Sequence, residues 1–325
     1  MNLIDKFKEE IKGNKKRIIL PEGNDSRVLE AASIILGEDL VDITIIGEKN
    51  LSYPNLDKAE WINPKEIDLT YYINKLYELR KDKGLTIEEA TSLINNDYMY
   101  LSCLLVLDKK IDGIVSGAIH TTSNTLKPAL QLIKGKEDLV SSFFIMDTPN
   151  KELGCDGLFI FSDCGLIQEP SVEELSKIAG HSITTFKELI GNIPKVAFLS
   201  HSTYSSSKHE MVNKVKEATR LTKEKYPNEL IDGELQLDAA IIPEVSSIKC
   251  PNSPLKGEAN ILIFPNIDSG NIGYKLVERF GNSKAYGPLT QGLKYPVNDL
   301  SRGSTVEDII GVIIITALQA TKNMI

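Results

Sequence analysis

Short, continuous apolar runs recur along this chain at 17–20, 42–46, 113–115, 143–146, 159–161, 195–199 and 261–264, separated by amphipathic stretches. The runs lack the in–out alternation of a half-exposed strand, so each reads as a strand covered on both faces. Helical periodicity occupies 25–36, 71–83, 86–95, 171–189 and 207–225, and Thr86-x-x-Glu89 and Ser171-x-x-Glu174 have the form of capping boxes. This rhythm predicts mainly parallel sheets layered with helices. A chain of 325 residues has length enough for two such α/β domains, each with its own core.

Composition narrows the function. A net charge of −8 provides no basic face for a polyanion, so no nucleic-acid partner is expected. A small anion held by a few local cations remains compatible with it. No apolar run approaches the roughly 20 residues that cross a bilayer, so no membrane association is expected. The first eight residues read as the start of an amphipathic helix without the apolar core of a signal peptide. Cys103, Cys155, Cys164 and Cys250 show no CxxC spacing, and Cys155 and Cys164 read as buried small residues. A reducing cytoplasm fits these features. The four histidines form no HExxH pattern, so no metal is expected, and neither GxGxxG, GxxxxGK[ST] nor GxSxG occurs.

Ligands of open α/β sheets bind beyond the carboxyl ends of strands. Five loops at such positions are rich in Gly, Ser, Thr and Asn: 21–27, 116–125, 162–165, 200–205 and 265–271. Loops of this composition offer amide N–H groups and hydroxyls to an oxyanion, and their recurrence predicts a phosphate- or carboxylate-binding cleft. His120 in the second loop reads either as a hydrogen-bonded structural histidine or as a base.

Near the C-terminus runs Asn298-Asp-Leu-Ser-Arg-Gly-Ser-Thr-Val-Glu-Asp-Ile309. Ser304-x-x-Glu307 has the spacing of a capping box, which would leave Asp308 without a capping duty. The apolar stretch 309–318 reads as a buried helix, with a core strand as the other reading. Arg302 and Asp308 stand at its mouth, either as an ion pair anchoring the loop or as chemistry.

The segments Leu20-Pro-Glu-Gly-Asn-Asp-Ser-Arg27, Ser116-Gly-Ala-Ile-His120, Ile231-Asp-Gly-Glu-Leu-Gln-Leu-Asp-Ala-Ala240, Phe264-Pro-Asn266 and Asn298-Asp-Leu-Ser-Arg-Gly303 occur here in consistent order. As a set they resemble the phosphate acetyltransferases (phosphotransacetylases), over about 15–320 of the chain. The resemblance implies reversible acetyl transfer between coenzyme A and inorganic phosphate, with acetyl phosphate as the other partner. Coenzyme A is then a substrate, and no cofactor is tightly bound. It also implies two α/β domains like those of isocitrate and isopropylmalate dehydrogenases, with an interdomain cleft, and a homodimer. The domains are expected at 1–140 with 288–325, and at 141–287. The chain would correspond to the short form, without the N-terminal extension of longer members.

Carried over by position, the resemblance makes Asp308 the base, Arg302 the group binding phosphate and the reacting carbonyl, and Ser301 the neighbouring hydroxyl. It makes Arg80 a coenzyme A contact and places Lys127 where the family has a second arginine, which keeps the charge but loses the planar fork. Ser116, Gly117, Thr121, Tyr286, Gly287 and Gln291 are the expected phosphate and acetyl contacts. Competing readings are a phosphate butyryltransferase of the same fold, a metal- and NAD-dependent dehydrogenase using Asp232, Glu234 and Asp238, and a non-catalytic sensor.

Overall fold

A computed structural model describes residues 2–134 and 139–322. Its strands are β1 (Arg17–Leu20), β2 (Asp42–Ile46), β3 (Glu60–Ile62), β4 (Gly113–Ser116), β5 (Ser141–Asp147), β6 (Leu158–Ser162), β7 (Lys195–Leu199), β8 (Leu230–Leu235), β9 (Ile261–Ile263), β10 (Lys284–Gln291) and β11 (Val297–Asp299). Its α-helices are α1 (Leu3–Ile11), α2 (Ser26–Glu38), α3 (Thr70–Arg80), α4 (Ile87–Asn96), α5 (Tyr98–Leu107), α6 (Thr122–Leu132), α7 (Val172–Leu189), α8 (Glu210–Lys225), α9 (Leu237–Ile241), α10 (Pro243–Lys249), α11 (Ile267–Phe280) and α12 (Val306–Lys322). The chain divides into two compact units, Met1–Val140 with Gly292–Ile325, and Ser141–Gln291. The expected boundary at 288 falls inside β10, which pairs with β5 as far as Gln291↔Ser141 and so belongs wholly to the second unit.

The first unit holds a five-stranded sheet in the order β11-β4-β1-β2-β3, parallel throughout. Ile18, Ile19, Leu20, Ile45 and Ile114 fill its core with almost no exposure. Helix α12 packs on α1, α2 and β4 and buries Ile309 and nearly every residue from Gly311 to Gln319. The apolar stretch 309–318 is therefore helix rather than strand. Buried Asn298 on β11 donates to Thr316 Oγ1 at 2.8 Å and Gln319 Oε1 at 2.6 Å, tying that strand to α12.

The second unit holds six strands in the order β10-β5-β6-β9-β7-β8. Strands β6, β9, β7 and β8 run parallel, while β5 is antiparallel to both β6 and β10. The 143–146 run is a strand as expected. Its direction is set by the connection through 148–157, too short to hold a crossover helix. Both capping boxes form: Thr86 N donates to Glu89 Oε2 at 2.9 Å with Glu89 N returning to Thr86 Oγ1 at 3.2 Å, and Ser171 with Glu174 repeats the pattern.

Candidate active site

The segment that follows β11 turns through 300–305 and enters α12. The cap at this helix differs from the expected one. Thr305 N–H donates to Asp308 Oδ2 at 2.8 Å, and Asp308 N–H donates to Thr305 Oγ1 at 3.2 Å. Thr305 and Asp308 therefore form the capping box, one residue later than the Ser304/Glu307 spacing suggested, and Glu307 stays exposed. The physical reason lies in the preceding turn. Ser304 N–H is already given to Ser301 O at 2.9 Å, and Ser304 is buried. Asp308 thus has a capping duty, but only for one oxygen; among the described residues Oδ1 has no hydrogen-bond partner.

Arg302 and Asp308 make no ion pair with each other. Among the described residues the exposed Arg302 guanidinium has no hydrogen-bond or ion-pair partner. Its backbone, by contrast, is fixed. Arg27 Nη1 donates to the carbonyls of Arg302 at 2.9 Å and Ser304 at 3.0 Å, while Nη2 reaches Ala118 O at 2.8 Å and Asp25 Oδ2 at 2.8 Å. One planar fork therefore clamps the 302–304 loop to the loop after β4. Ser301 Oγ accepts from Gly303 N at 3.2 Å and is exposed.

The loop after β4 does not offer its amides to a ligand. Glu22, 2% exposed, accepts the N–H groups of Gly117 and Ala118 at Oε2 (2.9 and 2.8 Å) and those of Ile119 and His120 at Oε1 (3.1 Å each). His120 Nδ1 lies 2.6 Å from the same Oε1. Two other glycine- and serine-rich loops are filled likewise. Asp163 takes the amides of Gly165, Leu166 and Ile167 (2.8, 3.0 and 3.3 Å), and Glu234 takes Ser205 N at 2.6 Å and Ser202 Oγ at 2.9 Å. The expectation that these amides await an external anion is corrected: the chain's own carboxylates occupy them.

Beneath this loop lies a buried polar cluster. Asp299 pairs with Ser116 across β11 and β4, is fully buried, and accepts from Thr122 Oγ1 at 2.6 Å. Among the described residues its Oδ1, Ser116 Oγ and Thr125 Oγ1 are buried without a well-aligned hydrogen bond. Burial pushes the Asp299 carboxyl up to about 6, the hydroxyls of Thr122 and Thr125 oppose that, and the Glu22 carboxylate adds to it. Gly117 sits at φ +110°, where a Cβ would stand 2.2 Å from Asp299 Oδ1, so this close approach requires glycine. Thr121 caps α6, accepting from Asn124 N at 3.3 Å.

Arg80, at the end of α3, and Lys127, on α6, line one cavity of about 430 Å³ together with Lys83, Glu89, Tyr100 and Gln131. Among the described residues neither Arg80 nor Lys127 has an ion-pair partner. A second cavity of about 790 Å³ lies beyond the ends of β1 and β2 and is lined by Asn24, Lys49, Asn50, Lys65 and His120. Both belong to the first unit, as do all the expected contacts except three.

Those three lie on β10 of the second unit. Tyr286 is half-buried opposite Ile145, and Gly287 marks the register break beside the Phe144 ring. Gln291 is buried, donating to Ser141 Oγ (3.0 Å) and Ser182 Oγ (3.1 Å) and accepting from Thr185 Oγ1 (3.0 Å). Its amide is satisfied within that core and is not presented to a ligand. Cys164 is buried as expected, whereas Cys155 is half-buried. Asp232 and Asp238 are paired with Lys223 and Lys249, each at 2.7 Å, and among the described residues no group of His, Cys, Asp and Glu is placed to hold a metal ion.

Sequence reading passed over Glu22, Arg27 and Asp299. The usable signal was that each carries a charge inside a loop or strand end whose neighbours are apolar or small, where a charge needs a partner.

The profile of the family described as Phosphate acetyl/butaryl transferase matches residues 2–317. The phosphate acetyltransferase of Thermoanaerobacterium thermosaccharolyticum is 48% identical over 328 residues, covering 98% of this chain and 100% of that protein. A phosphotransacetylase structure from Streptococcus pyogenes superposes with TM-score 0.90 at 41% identity, covering 98% of each chain. The 4-hydroxythreonine-4-phosphate dehydrogenase of Klebsiella pneumoniae has the same fold, with TM-score 0.52 at 12% identity over 94% of this chain and 99% of that one.

Proposed function

The chain belongs to the phosphate acetyl/butaryl transferase family, and on that premise we propose how its residues carry acetyl groups reversibly between coenzyme A and inorganic phosphate. It is an acyltransferase whose substrates are acetyl-CoA and phosphate in one direction, acetyl phosphate and coenzyme A in the other. The observation that carries the residue assignment is a pair of groups without a partner among the described residues: the Arg302 guanidinium on the braced loop and Oδ1 of Asp308 in the first turn of α12.

Asp308 Oδ1 takes the proton of the coenzyme A thiol, which is largely un-ionised at neutral pH with an ordinary value of about 8.5. The helix cap holds the other oxygen and so orients the carboxylate. The thiolate attacks the acetyl carbon, and Arg302 stabilises the charge that grows on the carbonyl oxygen and the phosphoryl group. A preorganised donor of this kind is worth roughly 3–4 kcal/mol in the transition state. Ser301 hydrogen-bonds the thiol or phosphoryl oxygen. The attack is direct, in a ternary complex, because juxtaposing two bound substrates supplies much of the rate without a covalent enzyme intermediate. Arg80, Lys127 and their shared cavity bind the phosphates of coenzyme A. The buried Ser116 and the tight Gly117 turn shape the acetyl end, with Thr121 beside them.

The chain is a cytoplasmic homodimer in this reading. Support for a second copy comes from α11, where Ile272, Leu276 and Phe280 stand exposed at four-residue spacing, Phe280 by 86%. Light scattering at micromolar concentration tests it, with a monomer as the opposing result. The activity itself is tested by thioester formation from acetyl phosphate and coenzyme A without added metal. A parallel assay compares acetyl-CoA with butyryl-CoA, and acetyl is the preferred acyl group.

A further inference from the structure

We infer that His120 is the acid that protonates the departing phosphate when coenzyme A takes the acetyl group, and the base that activates phosphate in the reverse direction. This rests on the acetyltransferase reading above. Cleaving the acyl C–O bond of acetyl phosphate sends its electron pair to a phosphate oxygen. Unprotonated, the leaving group would be a trianion. The S–C bond forms as Asp308 receives the thiol proton, so a second group must deliver a proton to that oxygen. The balance is one proton lost by the thiol and one gained by phosphate, with Asp308 and the imidazole reset through solvent.

The geometry assigns that second role to His120. Glu22 accepts amide N–H groups at both carboxylate oxygens, so it faces the ring as an acceptor and Nδ1, 2.6 Å away, carries hydrogen. This fixes tautomer and orientation and leaves Nε2 as the position that gains and loses a proton, the logic of a carboxylate-held catalytic histidine. Glu22 is already satisfied by four backbone donors, so a fifth is not needed to keep it buried. Among the described residues Nε2 has no partner, and the side chain is 45% exposed, on the wall of the 790 Å³ cavity. Lys49 lines that cavity as a cation for a phosphate, Lys65 is paired there with Glu48 at 3.0 Å, and Asn24 and Asn50 add donors. Arg27 joins the His120 loop at Ala118 O to the Arg302 carbonyl, so the loops that carry His120 and Arg302 are held on one brace.

The charged groups around the ring are Glu22 from the β1–α2 turn, Asp97 at the start of α5, and Glu48, Lys49 and Lys65 on the cavity wall. Lys127 acts on Asp97 from α6.

The test is H120N, whose amide nitrogen replaces Nδ1 and keeps the Glu22 bond while Nε2 is gone. We expect kcat to fall about 10²- to 10⁴-fold in both directions, with both KM values within about threefold. The basic limb of the pH–kcat profile for acetyl-CoA formation and the acidic limb for acetyl phosphate formation both disappear. A histidine serving only Glu22 predicts near-parent turnover, and H120N within about threefold of parent kcat overturns the inference. Should H120N not fold, H120G with added imidazole decides: restored turnover supports the role, and none overturns it. A parent protein that forms no acetyl-CoA overturns the acetyltransferase reading itself, an outcome distinct from an active parent with an unaffected variant.

Discussion

Arg27 holds the backbone of Arg302 through a 2.9 Å bond from Nη1 to the carbonyl, while Arg302's own guanidinium has no partner among the described residues. One arginine positions and the other is presented. Arg27 also donates to Ser304 O and Ala118 O, so three carbonyls from two loops depend on it. Hydrogen bonds from a charged donor contribute about 1.5–3 kcal/mol where buried, and less at this partly open site. Arg27→Met keeps the stem and deletes the fork. It should lower stability by about 1–3 kcal/mol and kcat by at least tenfold, since misplacing a reacting group by about 1 Å costs on the order of 10²-fold. Urea unfolding and steady-state turnover measure both, and unchanged kcat would show that the brace does not position Arg302.

Asp308 caps α12, and substitution can separate that duty from its proposed role as the base. Asp308→Asn keeps an oxygen for the Thr305 amide, so stability should stay within about 0.5 kcal/mol while kcat falls about 10²-fold or more. Thr305→Ala removes the cap hydroxyl, costing about 1 kcal/mol of stability with turnover within a few-fold. Parallel unfolding curves and kcat values read the contrast. Equal activity losses in the two variants would reduce Asp308 to a helix cap.

Why some of this was legible from sequence and some not follows from the forces involved. The buried strands and the Thr86 and Ser171 caps announce themselves through local pattern. Strand β8 does not, because Asp232 and Glu234 break its apolar run, and only the tertiary partners Lys223, Tyr204, Ser202 and Ser205 make those charges tolerable. Strand β11 is equally hidden: Asn298 and Asp299 look like turn residues until Thr316, Gln319 and Thr122 supply partners. The capping register at α12 turned on a bond from Ser304 N to Ser301 O, which spacing alone cannot reveal. Loop composition pointed correctly to amide-lined anion nests, but not to the fact that Glu22, Asp163 and Glu234 fill them.

Asp299 makes the protein's stability pH-dependent. Its carboxyl is pushed by burial from the ordinary 3.8 up to about 6, so the folded state binds more protons than the unfolded state between those values. The associated stability is fully present below the unfolded value, declines as pH rises, and is lost above about 6. At pH 7 the ionised group costs roughly 3 kcal/mol relative to the neutral one. Asp299→Asn removes this titration while keeping an acceptor for Thr122. The difference in Tm between variant and parent should therefore shift in the variant's favour as pH rises from 4 to 7, as differential scanning calorimetry would record. A pH-independent difference would mean that the carboxyl titrates alike in both states.

Arg80 and Lys127 converge on one cavity with Lys83, and no carboxylate pairs with either of the first two among the described residues. Two unpaired cations beside a 430 Å³ cavity suit the phosphates of coenzyme A rather than the small acyl phosphate. Arg80→Ala should then raise the coenzyme A KM about tenfold, equivalent to about 1.4 kcal/mol, leaving kcat and the acetyl phosphate KM nearly unchanged. Lys127→Arg works in the other direction. It adds a planar, bidentate donor where lysine offers a point charge, and should lower the coenzyme A KM several-fold without altering kcat. The two variants assayed against each substrate separately give opposite shifts on one axis and none on the other. A rise in the acetyl phosphate KM for Arg80→Ala would move that side chain to the phosphoryl end of the reaction.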